Sequence, residues 1–408
     1  MAYIPPHKRH SKTSDTPTPI PDSLSPRFKQ TLTLSGGNRR RNHSASSSSS
    51  SASPQAGKIH YAAHSISRWW SSPTGIPESF RLEPFSCELN ERKSGGKPLI
   101  LACGGGEAEI GEEGEMPWVE IARRIETDIV AAARRAREEV VDPRGEEVKM
   151  SFVARFGKVL FHGDSSVCLN SIKKAASAGE GAKNRVHKTF YTNVSDEYMK
   201  DIEQLVIKKV GLEFALEKEH YHVKVLDKHQ PDSTISCKCT VQTDGKLKAY
   251  KIELNQVRHM VVDISCLYKD LDLRLMLVTK KKLKNLDDEV ENGINKLISS
   301  AVIDSDVKGG LRWPLGQESA TERFSIIVVW HTKYKLFRCQ TLKLKVRHAD
   351  RFDYRTSTGE VANEVTLTPT EIGDQLRSGN LETSNLADMV QAALKMIWGN
   401  FLSYTMTP

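Results

Sequence analysis

The sequence predicts an α+β protein: a mostly antiparallel sheet with flanking helices, preceded by a disordered basic N-terminal tail. Strand-like segments arrive in uninterrupted runs between Tyr221 and Val278, and again between Phe324 and Leu367. Strands that follow one another without a helix favour antiparallel pairing. Helical periods fall outside these runs, around 117–140, 195–209 and 385–404. Charge supplies the third observation. Residues 1–60 carry nine Lys/Arg and two acids, so they hold +7 of the chain's +8, and the remainder is nearly neutral with 50 basic and 49 acidic residues.

The tail, residues 1–57, is Pro-rich, then Arg-rich, then Ser-rich, and its run Ser44 to Ser53 is broken only by Ala45 and Ala52. That composition buries too little apolar surface to offset the entropy of ordering. Arg39, Arg40 and Arg41 among serines suit contact with RNA phosphates, and serine phosphorylation would weaken it. Pro5, Pro6, Pro17, Pro19, Pro21 and Pro26 interrupt the amphipathic helix that organelle import would use. Cytoplasm or nucleus is therefore the expected location, with organelle import as the alternative. Nothing approaches the ~18 consecutive apolar residues of a membrane-spanning helix. The opening decapeptide lacks the apolar core of a secretory signal. The seven cysteines then read as reduced thiols of an intracellular protein.

Residues 58–97 read as an extended aromatic strap, with Tyr61, Trp69, Trp70, Phe80 and Phe85 among Pro73, Pro77 and Pro84. The globular body spans 98–408, with a candidate division near 280–322. Its first strand is 98–103. Pro117 suits the first turn of a helix that runs to about Val140, with Ile121, Ile125, Ile129 and Ala133 along one side. Strands at 150–156 and 158–161 flank Gly157. A helix at 165–178 and a strand at 185–192 follow. Ser195 caps a helix reaching Lys209. Strands come next at 221–226, 234–241, 247–254, 257–264 and 271–278, with a hairpin turn at Thr243–Asp244–Gly245–Lys246. After a helix at 287–300, strands resume at 324–332, 334–338, 341–347, 352–355 and 364–367. Helices at 370–376 and 385–404 close the chain.

Most motifs carry little chemistry. Gly104–Gly105–Gly106 matches neither phosphate-binding glycine signature, and five glutamates follow it. Cys237 and Cys239 share one strand face, as do His220 and His222 on another strand. They would supply four zinc ligands only if those strands paired in register. Core thiols and surface histidines are the ordinary reading, so no metal or cofactor is expected. Two basic stretches stand out. Lys280, Lys281 and Lys282 follow a strand. Lys343, Lys345 and Arg347 alternate with Leu342, Leu344 and Val346, which predicts a half-buried strand with a basic outer face. Solvated lysines are the bland reading and a nucleic-acid surface the sharper one. The stripe Leu386, Val390, Leu394, Ile397, Phe401 on the last helix reads as core packing or a partner contact.

Two resemblances attach to the N-terminus. The opening Met1–Ala2–Tyr3–Ile4–Pro5–Pro6–His7–Lys8–Arg9–His10–Ser11 resembles the start of an uncharacterised plant protein family described by a domain of unknown function, which implies no activity. Tyr3, Ile4, Pro5, Pro6, His7 and Arg9 are also similar to a segment in the N-terminal arm of DEAD-box RNA helicases. There it is linked to the cap-binding initiation factor, which implies a protein partner for this peptide. The tyrosine-plus-five position that usually holds leucine is Lys8 here, and no helicase motif occurs elsewhere.

Together these readings point to a non-enzymatic binding or adaptor protein, with no membrane association, whose partner is RNA or an RNA–protein complex. Two alternatives stand beside it. One is an enzyme acting on a nucleotide or phosphorylated substrate within the sheet, because a barrel with inward charges leaves no local signature. The other is a structural protein–protein module. Removal of residues 1–57 is expected to leave the body folded and abolish salt-sensitive RNA binding, as read by filter binding across a salt series; unchanged low-salt affinity contradicts the tail's assignment.

Overall fold

Alternation of apolar and polar residues, repeated on one long strand after another, builds the fold. The computed structural model describes residues 59–87, 91, 96–104, 115–140, 148–163, 167–177, 186–230, 234–283, 286–314, 323–378 and 383–404. These belong to one unit, Ser53–Pro408. Tyr3, Ile4, Pro5, Pro6, His7, Arg9, Arg39, Arg40 and Arg41 lie outside the described residues.

The strands are β1 (His60–Ser72), β2 (Phe80–Pro84), β3 (Leu99–Cys103), β4 (Val148–His162), β5 (His187–Tyr191), β6 (Glu213–Asp227), β7 (Thr234–Val241), β8 (Leu247–Leu254), β9 (Val257–Cys266), β10 (Asp272–Lys281), β11 (Val302–Ile303), β12 (Leu311–Arg312), β13 (Phe324–Arg338), β14 (Leu342–Asp353) and β15 (Thr358–Pro369). The helices are α1 (Pro117–Val140), α2 (Leu169–Ser177), α3 (196–210, with a π turn at Ile202–Val206), α4 (Asp288–Ser299), α5 (Thr370–Ser378) and α6 (Thr383–Asn400).

Thirteen strands join one large mixed sheet, and β11–β12 form a separate ribbon. This overturns the expected mostly antiparallel sheet with flanking helices. Within the segment expected as an extended aromatic strap, residues 60–72 form strand β1, which runs parallel to β9, with Trp70 opposite Ile264 and Ser72 opposite Cys266. That pairing joins segments far apart in sequence, so no local pattern announces it. Trp69 and Trp70 point to opposite faces of β1 and anchor two different cores.

From β10 the sheet continues β4-β15-β14-β13-β6-β7-β8. It then curls back on itself. Glu253 of β8 bridges Lys282 just beyond β10, and Leu283 N–H donates to Ile252 O at 3.2 Å. The eight strands therefore enclose a lumen, and every strand has an inner and an outer face.

The helices lie on the outside of this curl. Phe152, Ala154 and Phe156 of β4 and Leu273, Leu275 and Leu277 of β10 face outward into the main core. There they meet Ile121, Ile125 and Ile129 of α1 and Leu386, Val390 and Leu394 of α6. On the other side Val223 and Val225 of β6 and Cys237 and Cys239 of β7 pack against Ile294, Leu297 and Ile298 of α4. Each fully buried aliphatic or aromatic side chain contributes about 1.5–3 kcal/mol, so the outer face holds the barrel together. The apolar stripe of α6 is thereby absorbed at home.

β4 is where the sheet branches. Its first half is a barrel stave paired with β10, and past Gly157 it pairs with β5, Lys158 opposite Tyr191. The crossing is tight at Gly157, where an added Cβ would stand 2.0 Å from Tyr191 O. Asp272 pins the same bend, accepting from Val159 N–H at 2.7 Å and Cys266 N–H at 3.0 Å. Gly157→Ala is expected to lower stability by about 1–3 kcal/mol in chemical denaturation, since the obstructing atom is backbone; wild-type stability would contradict this packing.

Candidate anion site in the barrel lumen

The inward register follows from strand pairing. On β14, Leu344 and Val346 are buried in the outer core, so Lys343, Lys345 and Arg347 must face inward. Lys345 stands opposite Thr366 of β15 and Leu336 of β13. On β4 the inward set is Lys149, Ser151, Val153 and Arg155. On β10 it includes Val278 and Lys280, with Lys280 opposite Lys149. On β6 it includes His220, His222 and Lys224, with His222 opposite Lys238 of β7. Lys238 and Ser236 of β7 complete the set with Lys251 and Glu253 of β8.

These side chains bound two adjoining cavities of about 620 Å³ and about 340 Å³. Arg155, Lys238, Glu253, Gln256 and Lys280 line both. The larger cavity reaches the mouth near Lys149, Lys282 and Lys343. The smaller takes in Lys224, Arg258, Trp330, Arg347 and Arg351.

Glu253 and Glu364 are committed carboxylates. Glu253 pairs with Lys251 at 2.5 Å and Lys238 at 3.3 Å. Burial works against its charge, but those lysines hold its carboxyl below the usual range. Glu364 pairs with Arg347 and Arg351 and accepts from Thr192 Oγ1 at 3.0 Å.

The cations outnumber them. Burial, aided by Arg347, Lys238, Lys280 and Arg155, pushes the Lys345 amine down to about 6. Its Nζ lies 3.6 Å from the Tyr334 ring centroid. Burial together with Lys238 lowers Lys280 to about 8, although Glu253 opposes the shift. Lys224 falls to about 8 through burial, Arg355 and Arg258. Lys280 nevertheless stays accessible, because it projects into the open lumen rather than into packed core. Burial and the cations Lys345, Lys238 and Arg347 also lower His220 to about 4, so it is neutral near pH 7. Like charges this close repel strongly in a medium of reduced dielectric.

The two sequence-predicted basic stretches thus meet inside the barrel. Lys280, Lys282, Lys343, Lys345 and Arg347 line the lumen, and the basic outer face expected of 342–347 is an inner face. Lys281 alternates to the other side of β10. Lys149, Arg155, Lys224, Lys238, Arg258 and Arg351 went unread in the sequence. For Lys149, Arg155, Lys224 and Lys238 the signal is a basic residue between two apolar neighbours of a strand.

The zinc arrangement does not form. Cys237 and Cys239 face the outer core beside Tyr221 and Val223, while His220 and His222 face the lumen. Burial pushes the Cys239 thiol up to about 12. Among the described residues no group of three His, Cys, Asp or Glu could hold a metal ion. No described helix is long and apolar enough to cross a membrane.

Comparison with solved structures finds distant likeness. The S. pombe Pct1 RNA triphosphatase is 10% identical, covering 74% of this chain and 100% of its own, with a TM-score of 0.42. The Mimivirus capping enzyme triphosphatase is 9% identical over 66% of this chain and 97% of its own, with a TM-score of 0.29. The PH1012 protein of Pyrococcus horikoshii is 10% identical over 48% and 85%, at 0.22. No curated protein matches the chain. The matching family covers residues 53–401, which takes in every strand and helix of the barrel: the chain belongs to the DUF7903 family, a domain of unknown function.

Proposed function

We propose that this protein binds a polyphosphate-bearing anion inside its barrel. The observation that carries the reading is the convergence of Arg155, Lys238, Lys280, Lys345 and Arg347 from four strands onto one space, where each lowers the proton affinity of a neighbour. Among the described residues, Arg155, Lys280 and Lys345 have no ion-pair partner. Cations gathered in a space of reduced dielectric without matching carboxylates repel one another. A bound anion converts that repulsion into attraction, so the site is strained when empty and relaxed when filled.

Anion binding is what these cations support. Glu253 and Glu364 are tied to lysine and arginine, and His222 is hydrogen-bonded to Ser236 Oγ at the wall of the smaller cavity. The adaptor reading of the sequence keeps its phosphate chemistry but moves it from the tail to the barrel interior. Tail residues Arg39, Arg40 and Arg41 remain candidates for a second, outer contact with RNA.

The test is titration calorimetry of the full chain with inorganic tripolyphosphate. The doubly substituted K280A/K345A protein is expected to fold, because both changes relieve repulsion, and to lose about ten-fold or more in affinity, equivalent to ~1.4 kcal/mol. Lys296→Ala, on the exposed face of α4 outside the barrel, is expected to leave affinity unchanged. Equal affinity in all three proteins contradicts the lumen as the site.

pH gives an independent reading. In the free protein the lumen amines lie below the ordinary lysine range, with Lys345 at about 6 and Lys224 and Lys280 at about 8. A bound polyanion raises them, so binding takes up protons between those values and the ordinary lysine range. Affinity should fall as pH rises through about 7 to 9, and heats measured in two buffers of different ionisation enthalpy should show net proton uptake at pH 7. Proton release, or affinity rising with pH, contradicts the assignment.

A further inference from the structure

The placement of charge around the lumen, beyond its amount, limits what shape of anion fits. The larger cavity is lined by nine Lys/Arg and only two carboxylates, Glu253 and Asp374. The five converging cations sit on β4, β7, β10 and β14. In the order β10-β4-β15-β14-β13-β6-β7-β8 these staves are spread around the circumference, not gathered on one wall. Lys345 on β14, Lys238 on β7, Lys280 on β10 and Arg155 on β4 all line the larger cavity, and the last three lower the Lys345 amine across it. A linear phosphate chain lying along the axis would meet one or two of them at each phosphate. It would leave the others facing one another.

We propose that the ligand is a compact ring carrying several phosphomonoesters, an inositol polyphosphate, seated at the waist formed by Arg155, Lys238, Lys280 and Lys345. This deepens the lumen reading above and rests on it. Each monoester carries about −1.5 to −2 near neutral pH. A ring directs those charges outward in many directions at once, which matches cations arriving from opposing walls. Internal phosphates of a linear chain carry a single charge each. The cavity's volume of about 620 Å³ is of a size that takes a small molecule. Gln256 lines both cavities and its amide can bond a ring hydroxyl or phosphate oxygen. On this account the ligand neutralises charge in the interior, and it stabilises the fold by mass action.

The experiment compares myo-inositol hexakisphosphate with linear inorganic hexaphosphate and inorganic tripolyphosphate, at equal ionic strength, by calorimetry on the full chain. The ring is expected to bind one-to-one and about ten-fold or more tighter than the linear hexaphosphate, a difference of ~1.4 kcal/mol. Arg155→Ala and Lys238→Ala, on opposing walls, should each weaken the ring more than tripolyphosphate. If linear hexaphosphate binds as tightly as the ring, the ring proposal is overturned while the lumen reading stands. If all three anions bind equally well to wild type and to K280A/K345A, the lumen reading fails as well and the tail or outer surface holds them. If none binds, both fall.

Discussion

A closed sheet has an inside, and strand geometry leaves the chain no choice about which residues occupy it. With side chains alternating across each strand, burying Leu344 and Val346 in the outer core forces Lys343, Lys345 and Arg347 inward. The same rule acts on Phe152 and Ala154 against Lys149 and Arg155, and on Cys237 against Lys238. Everything proposed about this protein follows from that coupling. The outer face supplies the stability, and the inner face is thereby free to carry charges that destabilise the empty molecule.

The division between the two faces explains why the helices sit where they do. α1, α5 and α6 cover the outer face of β4, β9 and β10, and α4 covers that of β6, β7 and β8. None is needed to line the lumen, although α5 brings Gly373, Asp374 and Arg377 to one mouth. Apolar packing and charge thus fall on opposite sides of the same strands. Substitutions inside the lumen relieve repulsion, whereas substitutions at the outer face open cavities.

Local structure was legible in the sequence and closure was not. Pro117 and the Ile121–Ile125–Ile129 spacing place α1 correctly, and Ser195 caps α3 through its Oγ, which accepts from Tyr198 N–H at 3.2 Å. The hairpin at Asp244–Gly245 joins β7 and β8 as its turn residues require. β6 and β15 are longer than their apolar cores suggest, because Lys218, His220 and Glu360 look like loop residues until a polar lumen is allowed for. The parallel pairing of β1 with β9, and the bridge from Glu253 to Lys282, join residues that share no local pattern. A basic strand face reads as solvent-facing when the sheet is imagined open. The alternation of Lys343, Lys345 and Arg347 is plain in the sequence, but which way it faces depends on closure of the sheet.

The central claim is that the converging cations form one anion site inside the barrel, and anomalous scattering tests it most directly. Crystals of the full chain soaked in tungstate should show an anomalous peak in the lumen, within hydrogen-bonding or ion-pair distance of Arg155, Lys238, Lys280 and Lys345. Peaks confined to the outer surface, with the lumen clear at full occupancy elsewhere, would contradict it.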